Sequence, residues 1–140
     1  MPGFDDAITT AAPVEEVWKL LYDPARFPEW WAGVGSVQPR PEGGYTMYPE
    51  GYPDFPMPQQ LRTDTDGRRV TISCLVSDLV FEWRLEPMDD GTRVGVHAEL
   101  PEREAHRLAD QRAAVSASLR SLAALAGTDA PAAPPGPHRT

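Results

Sequence analysis

The spacing of apolar residues changes twice along this chain, and each change predicts a different kind of element. Near the start, Val14, Val17, Trp18 and Leu21 recur at intervals of three and four, which puts them on one stripe of a helix. Pro13 fits the first position of that helix, where its missing N–H costs nothing, and Glu15 and Glu16 favour the first turn. Asp23-Pro24 ends it. The stretch from Pro24 to Trp31 predicts a second short helix or turn, closed by Gly33 and Gly35. Ahead of both, Phe4 to Thr10 suits an edge strand.

From Val34 onward the period falls to two. Strand candidates are Val34 to Arg40, Tyr45 to Pro49 after a Gly43-Gly44 turn, and Gln59 to Thr65 after the proline-broken loop Glu50 to Pro58. Arg68 to Val76 alternates, with Val70, Ile72, Cys74 and Val76 on one face. Leu79 to Glu86 does the same with Leu79, Phe81, Trp83 and Leu85. An Asp90-Gly91 turn leads into Thr92 to Leu100, where Val94, Val96 and Ala98 oppose Arg93, Gly95, His97 and Glu99. Strands in succession joined by tight turns predict an antiparallel meander.

Pro101 to Ala126 returns to a helical pattern carried by Leu108, Val115, Leu119 and Leu122, with alanines between them and Gly127 as a C-cap. The order is therefore strand, two short helices, a run of strands and one long helix, an α+β architecture in which a curved sheet can grip the last helix. The chain reads as one domain over residues 1–126. The remainder, 127–140, carries four prolines and no large apolar residue and reads as a disordered tail.

Composition narrows the function classes. Thirteen basic residues against 21 acidic ones leave a net charge of −8, which disfavours a general nucleic-acid binder. Cys74 is the single cysteine, so neither an internal disulfide nor a cysteine-based zinc cluster is available. No apolar run approaches the roughly 20 residues needed to span a bilayer. The first residues lack the basic and apolar regions of a secretory signal, so a cytoplasmic protein is the expectation. No Ser-His-Asp order, phosphate-cradling glycine loop or carboxylate pair stands out. His97 and Glu99 share a strand face, but no third ligand joins them, and they read as a surface pair with no metal.

The stretch APVEEVWKLLYDPARFPEWWAGV from Ala12 resembles the opening of the START-like, or SRPBCC, superfamily, in its polyketide cyclase/dehydrase-like branch. That branch has a strand, an AP-x-x-x-VW helix and then D-P-x-x-x-P-x-W. The stretch LVFEWRLEPMDDGTRVGVHAEL resembles the family's penultimate hairpin, and the resemblance covers Phe4 to Ala126. It implies a helix-grip fold, shared with pollen-allergen-type proteins: a seven-stranded antiparallel sheet wrapped around the C-terminal helix, with an apolar cavity between them. Members bind hydrophobic small molecules such as lipids, sterols and polyketides; some are aromatase/cyclases and some sequester toxic metabolites.

With a cavity implied, the aromatic residues become candidates for its lining: Trp30 and Trp31, only one of which can face inward from a helix, and Phe81 and Trp83 on one strand face. Tyr45, Tyr52, Phe55 and Met57 stand in or beside the proline-broken loop, the last three as parts of a lid. Cys74 lies on an inward strand face. Arg62 and Gln60 share a face at spacing two. Turned inward, Arg62 would stabilise oxyanion charge during an aldol cyclisation, as the resemblance to aromatase/cyclases implies, with Tyr48 or a neighbouring tyrosine as proton donor. Turned outward, it would be a solvated surface cation. Gln60 stands where those enzymes carry a hydroxyl residue, and Val34 occupies the place of their tyrosine. Three readings follow: a module binding an aromatic or polycyclic, polyketide-like molecule; a polyketide cyclase using Arg62; and a self-resistance protein sequestering a toxic metabolite. None calls for a cofactor. A monomer or homodimer with a hydrophobic small molecule as partner is expected.

Overall fold

The alternating segments do form strands, and they close into a single antiparallel sheet. In the computed structural model, which describes residues 2–129, the strands are β1 (Gly3–Thr10), β2 (Val34–Pro39), β3 (Tyr45–Pro49), β4 (Met57–Asp64), β5 (Arg69–Cys74), β6 (Val80–Met88) and β7 (Gly91–Glu99). Their order in space is β1-β7-β6-β5-β4-β3-β2, so β2 to β7 is a pure meander and β1 returns to pair with the last strand. Helix α1 (Val14–Tyr22) and a 3-10 helix (Pro24–Glu29) connect the two edges. A second 3-10 helix (Glu102–Arg107) leads into the long helix α2 (Leu108–Asp129), which the sheet curves around. This is the helix-grip architecture.

The concave face is the core. Val70, Ile72 and Cys74, then Trp83 and Leu85, then Val94, Val96 and Ala98 are all buried, each on the phase that its strand's alternation sets. On α2 the buried residues are Val115, Ser118, Leu119, Leu122 and Ala126, a stripe at three- and four-residue spacing. Each large aliphatic side chain fully buried there contributes about 1.5–3 kcal/mol relative to exposure. Val76 departs from its expected face. β5 stops at Cys74, and Val76 sits half exposed in the following turn. Asp78 completes that turn with φ at 62°, a conformation its short polar side chain tolerates, and Arg103 pairs with its carboxylate.

Three boundaries differ from the pattern reading. Met57 and Pro58 belong to β4 and not to the loop, because Met57 pairs with Met47 on β3. The helical run after Pro101 begins as a 3-10 turn. Gly127 lies inside α2 and does not cap it, since the helix continues to Asp129. The rest of the expected tail, 130–140, falls outside the described residues.

One glycine holds the register that later matters for the site. Gly44 has φ at +74°, and a Cβ there would lie 2.3 Å from the Gln59 carbonyl oxygen. Only glycine allows this approach, which seats Tyr45 opposite Gln59.

Two polar links tie the elements together. The Ser118 hydroxyl is wholly buried; it donates to the Ala114 carbonyl at 2.7 Å and accepts from the Ala32 amide at 2.9 Å, fastening the turn before β2 to α2. Ser118→Ala leaves that amide without its partner. We expect a loss of roughly 1–2 kcal/mol in unfolding free energy, read from the shift of the denaturant midpoint, together with faster hydrogen exchange at Ala32.

On the outer face, the His97 ring lies 2.8 Å from Asp5 on β1 and 2.8 Å from Glu99, bridging the edge strand to β7. Glu82 faces it from β6. Hydrogen bonds donated to Glu99 and then to Asp5 raise the His97 pKa above its ordinary 6.5. The stabilisation is therefore complete below 6.5, while the carboxylates stay ionised, and fades as pH rises through the raised folded-state value. His97→Gln is expected to lower the melting temperature by about 2 °C near pH 6, in line with an exposed ion pair, and by much less at pH 9.

Candidate functional site

Between the sheet and the first half of α2 the core is incomplete. The gap is a cavity of about 290 Å³. Its floor is the sheet: Tyr45, Met47 and Pro49 from β3, Met57 and Gln59 from β4, Cys74 from β5 and Phe81 from β6. Ser77 and Leu79 close one side. Residues 31–34, which follow the first 3-10 helix, close another. Arg107, Asp110, Gln111 and Ala114 form the roof. A larger groove, about 550 Å³, crosses the outer face over Gly95, but it is charged, flanked by Asp5, Asp6, Arg84, Glu86 and Arg93. An apolar ligand fits the first of these and not the second.

The cavity's deep wall is a knot of rings. Phe27 meets Trp30, Trp31 and Tyr45 edge-on at 5.2–5.5 Å between centroids. Trp30 stacks on Trp31 at 5.4 Å, and Trp83 stands edge-on to both at 5.1 Å. Phe81 meets Trp31 at 5.3 Å. Trp30 anchors the group by donating its indole N–H to the Leu20 carbonyl at 3.0 Å. The expectation that only one of the tryptophans faces inward is corrected here. The chain leaves helical geometry at Trp30, with φ −138° and ψ −22°, so both rings turn into the core.

Of the residues singled out from sequence, the structure gathers Trp31, Tyr45, Met57, Cys74 and Phe81 around the cavity. Trp30 and Trp83 are buried in the packed knot behind it and do not line the space. Tyr52 and Phe55 are 65% and 54% exposed in the loop between β3 and β4 and do not cover it as a lid. Tyr48 is half-buried on the other side of β3, in a shallow groove with Val37 and Pro53.

Arg62 and Gln60 are exposed on the outer face of β4, against the inward placement that a cyclase role requires. The physical reason is phase. Met57, Gln59 and Leu61 share parity and turn inward, and a one-residue shift sends the whole Gln60–Arg62 pair to solvent. A guanidinium on the outer face reaches no oxyanion in the cavity. Met57 and Leu61, the strand's two long apolar side chains, pack against the core on that phase. Arg107, Asp110 and Gln111 left no trace in the sequence, because their stretch reads as a solvated helix face.

The cavity's polar groups form a row across three strands. Tyr45 pairs with Gln59, and Gln59 with Cys74, so a phenol, an amide and a thiol stand side by side. The Gln59 amide nitrogen donates to the Met57 carbonyl at 3.2 Å, which orients its head. Burial, and then the neighbouring Cys74, push the Tyr45 pKa far above its ordinary value, so the phenol stays protonated. Arg107 at the rim is 3.1 Å from Glu104 and partly neutralised by it. Among the described residues no group of three or more His, Cys, Asp or Glu could hold a metal ion. No described helix is long and apolar enough to cross a membrane.

Known proteins of this shape are numerous and distant in sequence. An aromatase/cyclase from a Streptomyces species superposes with a TM-score of 0.74 at 17% identity, over 90% of this chain and 93% of that one. A protein from Bacillus thuringiensis, itself uncharacterised, gives 0.73 at 14% identity, over 89% and 98%. The di-domain aromatase/cyclase BexL gives 0.68 at 20% identity, over 92% of this chain and 46% of that one. At these identities the likeness establishes the fold. A search of curated protein sequences finds no match. The sequence profile of one family, described as polyketide cyclase / dehydrase and lipid transport, matches residues 1–127, and the chain belongs to that family.

Proposed function

We propose that this protein is a binding module for a compact aromatic, polyketide-like small molecule, held between the sheet and the first half of α2. The observation that carries this reading is the cavity itself. Trp31, Phe81, Leu79, Val34 and the two methionines Met47 and Met57 supply flat and adaptable apolar walls, and a few polar groups interrupt them on one side. Its volume, about 290 Å³, lies at the lower edge of the range of roughly 300–1,000 Å³ typical of ligand sites. That favours one or two fused rings over a long polycycle, which the aromatic knot leaves no room for.

Binding is better supported than cyclisation. Arg107 is the one cation among the described lining residues, and it sits at the rim beside Glu104. Sequestration of a metabolite harmful to its producer would use the same cavity in the same way.

Tryptophan fluorescence is the direct test, because Trp31 faces the space. Titration with 2-naphthol is expected to quench it saturably. Ala114→Phe, which fills the roof from α2, is expected to abolish the saturable part while leaving the fold intact. Arg62→Ala is expected to leave the affinity within about twofold, as an exposed substitution away from the site should. Cys74 offers an independent reading. As the single cysteine, it gives one alkylation product with iodoacetamide, and bound ligand is expected to slow that reaction. Absence of saturable quenching, with Cys74 alkylated equally fast throughout, would remove the binding reading.

A further inference from the structure

The phenol of Tyr45 is a polar group of the cavity wall. The residue is only 2% exposed, and its ring is pinned edge-on to Phe27 at 5.5 Å. Among the described residues its hydroxyl has no protein hydrogen-bond partner. Its two cross-strand neighbours do not supply one: the Gln59 amide turns to Met57, and the Cys74 thiol is a weak acceptor. Tyrosine hydroxyls in interiors usually find a partner, and a ligand in the adjoining cavity can supply one. Tyr45 lines that cavity. Because burial keeps the phenol protonated, what it offers across the ordinary pH range is a donated hydrogen.

The complement is a ligand acceptor. Trp31 and Phe81, edge-on to each other at 5.3 Å, offer aromatic surface to the same space. A flat ring system lying against them would direct one edge at Tyr45.

We propose that Tyr45 is the specificity-determining residue of the cavity and that the ligand presents a carbonyl oxygen to its hydroxyl, which selects ketone- or quinone-bearing aromatic molecules over plain hydrocarbons of the same shape. This rests on the binding reading above and narrows it. Tyr45 acts by donating a hydrogen bond and not by transferring a proton.

The test pairs one substitution with two matched probes. Tyr45→Phe removes the hydroxyl and keeps the ring against Phe27. 1-Tetralone and tetralin are bicyclic molecules of nearly equal shape that differ in one carbonyl. Each ligand's affinity for the variant is divided by its affinity for the unsubstituted protein, so the ligand's own desolvation cancels. The expected result is a loss of about 5- to 10-fold for 1-tetralone, with tetralin unchanged within about twofold. The thermal midpoint of unliganded Tyr45→Phe should equal or exceed that of the unsubstituted protein, since no native partner is lost. Equal ratios for the two probes, with binding still saturable, would overturn the role of Tyr45 and leave the binding module standing. Failure of both probes to bind the unsubstituted protein would remove the binding module and this inference together. A folding defect in Tyr45→Phe, seen as a lowered midpoint, would show that the hydroxyl is structural and would likewise overturn the proposal.

Discussion

Six aromatic rings, Phe27 among them and most of them packed edge to face, decide how much of the interior is left over. A helix wrapped by a strongly curved sheet cannot fill the space between them with aliphatic side chains alone. Here Trp30, Trp31 and Trp83 fill most of it, and their mutual contacts at 5.1–5.4 Å are the close approaches of a packed core. The cavity is the volume this knot does not reach. Its depth, its flat walls and its modest size are all consequences of where the rings stop. Trp31 belongs to both, packing on one side and lining on the other.

The knot in turn depends on two short connections. Trp30 is anchored to the end of α1 through the Leu20 carbonyl. The turn after Trp31 is fastened to α2 through the Ser118 hydroxyl. The Ser118 bond joins segments far apart in sequence, the Trp30 bond joins neighbouring elements, and both bear on the same wall. That wall is therefore held from two directions, while the polar row is set by strand pairing and by the Gln59 bond to Met57. That row has a plain electrostatic character. It contains no fixed charge, its phenol is kept neutral by burial, and the only charged groups, Arg107 and Asp110, stand at the rim. Such a lining is complementary to a neutral, weakly polar molecule.

The fold was largely legible in the sequence because its signals are local. The stripe through Val14, Val17, Trp18 and Leu21, the alternations through Ile72, Trp83 and Val96, and the Gly43-Gly44 and Asp90-Gly91 turns each report on neighbouring residues only, and each places an element within a residue or two of its position. The resemblance to the polyketide cyclase/dehydrase family assembled those elements in the right order. Errors fell at ends: Val76 past the last pairing of β5, and Gly127 inside a helix rich enough in alanine to run through it.

The site was legible only in part. Trp31, Tyr45, Met57, Cys74 and Phe81 stand out by residue type and strand phase, and the structure brings them together. Arg62 went the other way because β4 carries mostly polar residues on both phases. Strand parity is a two-fold choice, and the packing of Met57 and Leu61 against the core settles it, not the chemistry of the arginine. Gln59, Ser77, Gln111 and Ala114 carry no mark of function in the sequence; they line the cavity because α2 crosses the sheet where it does. The sequence by itself determined which residues alternate, which turn and which repeat along a helix, because those are properties of a few adjacent side chains. Only the tertiary structure decided which face of β4 looks inward and how much space the rings leave, because both follow from contacts between segments that local patterns cannot see.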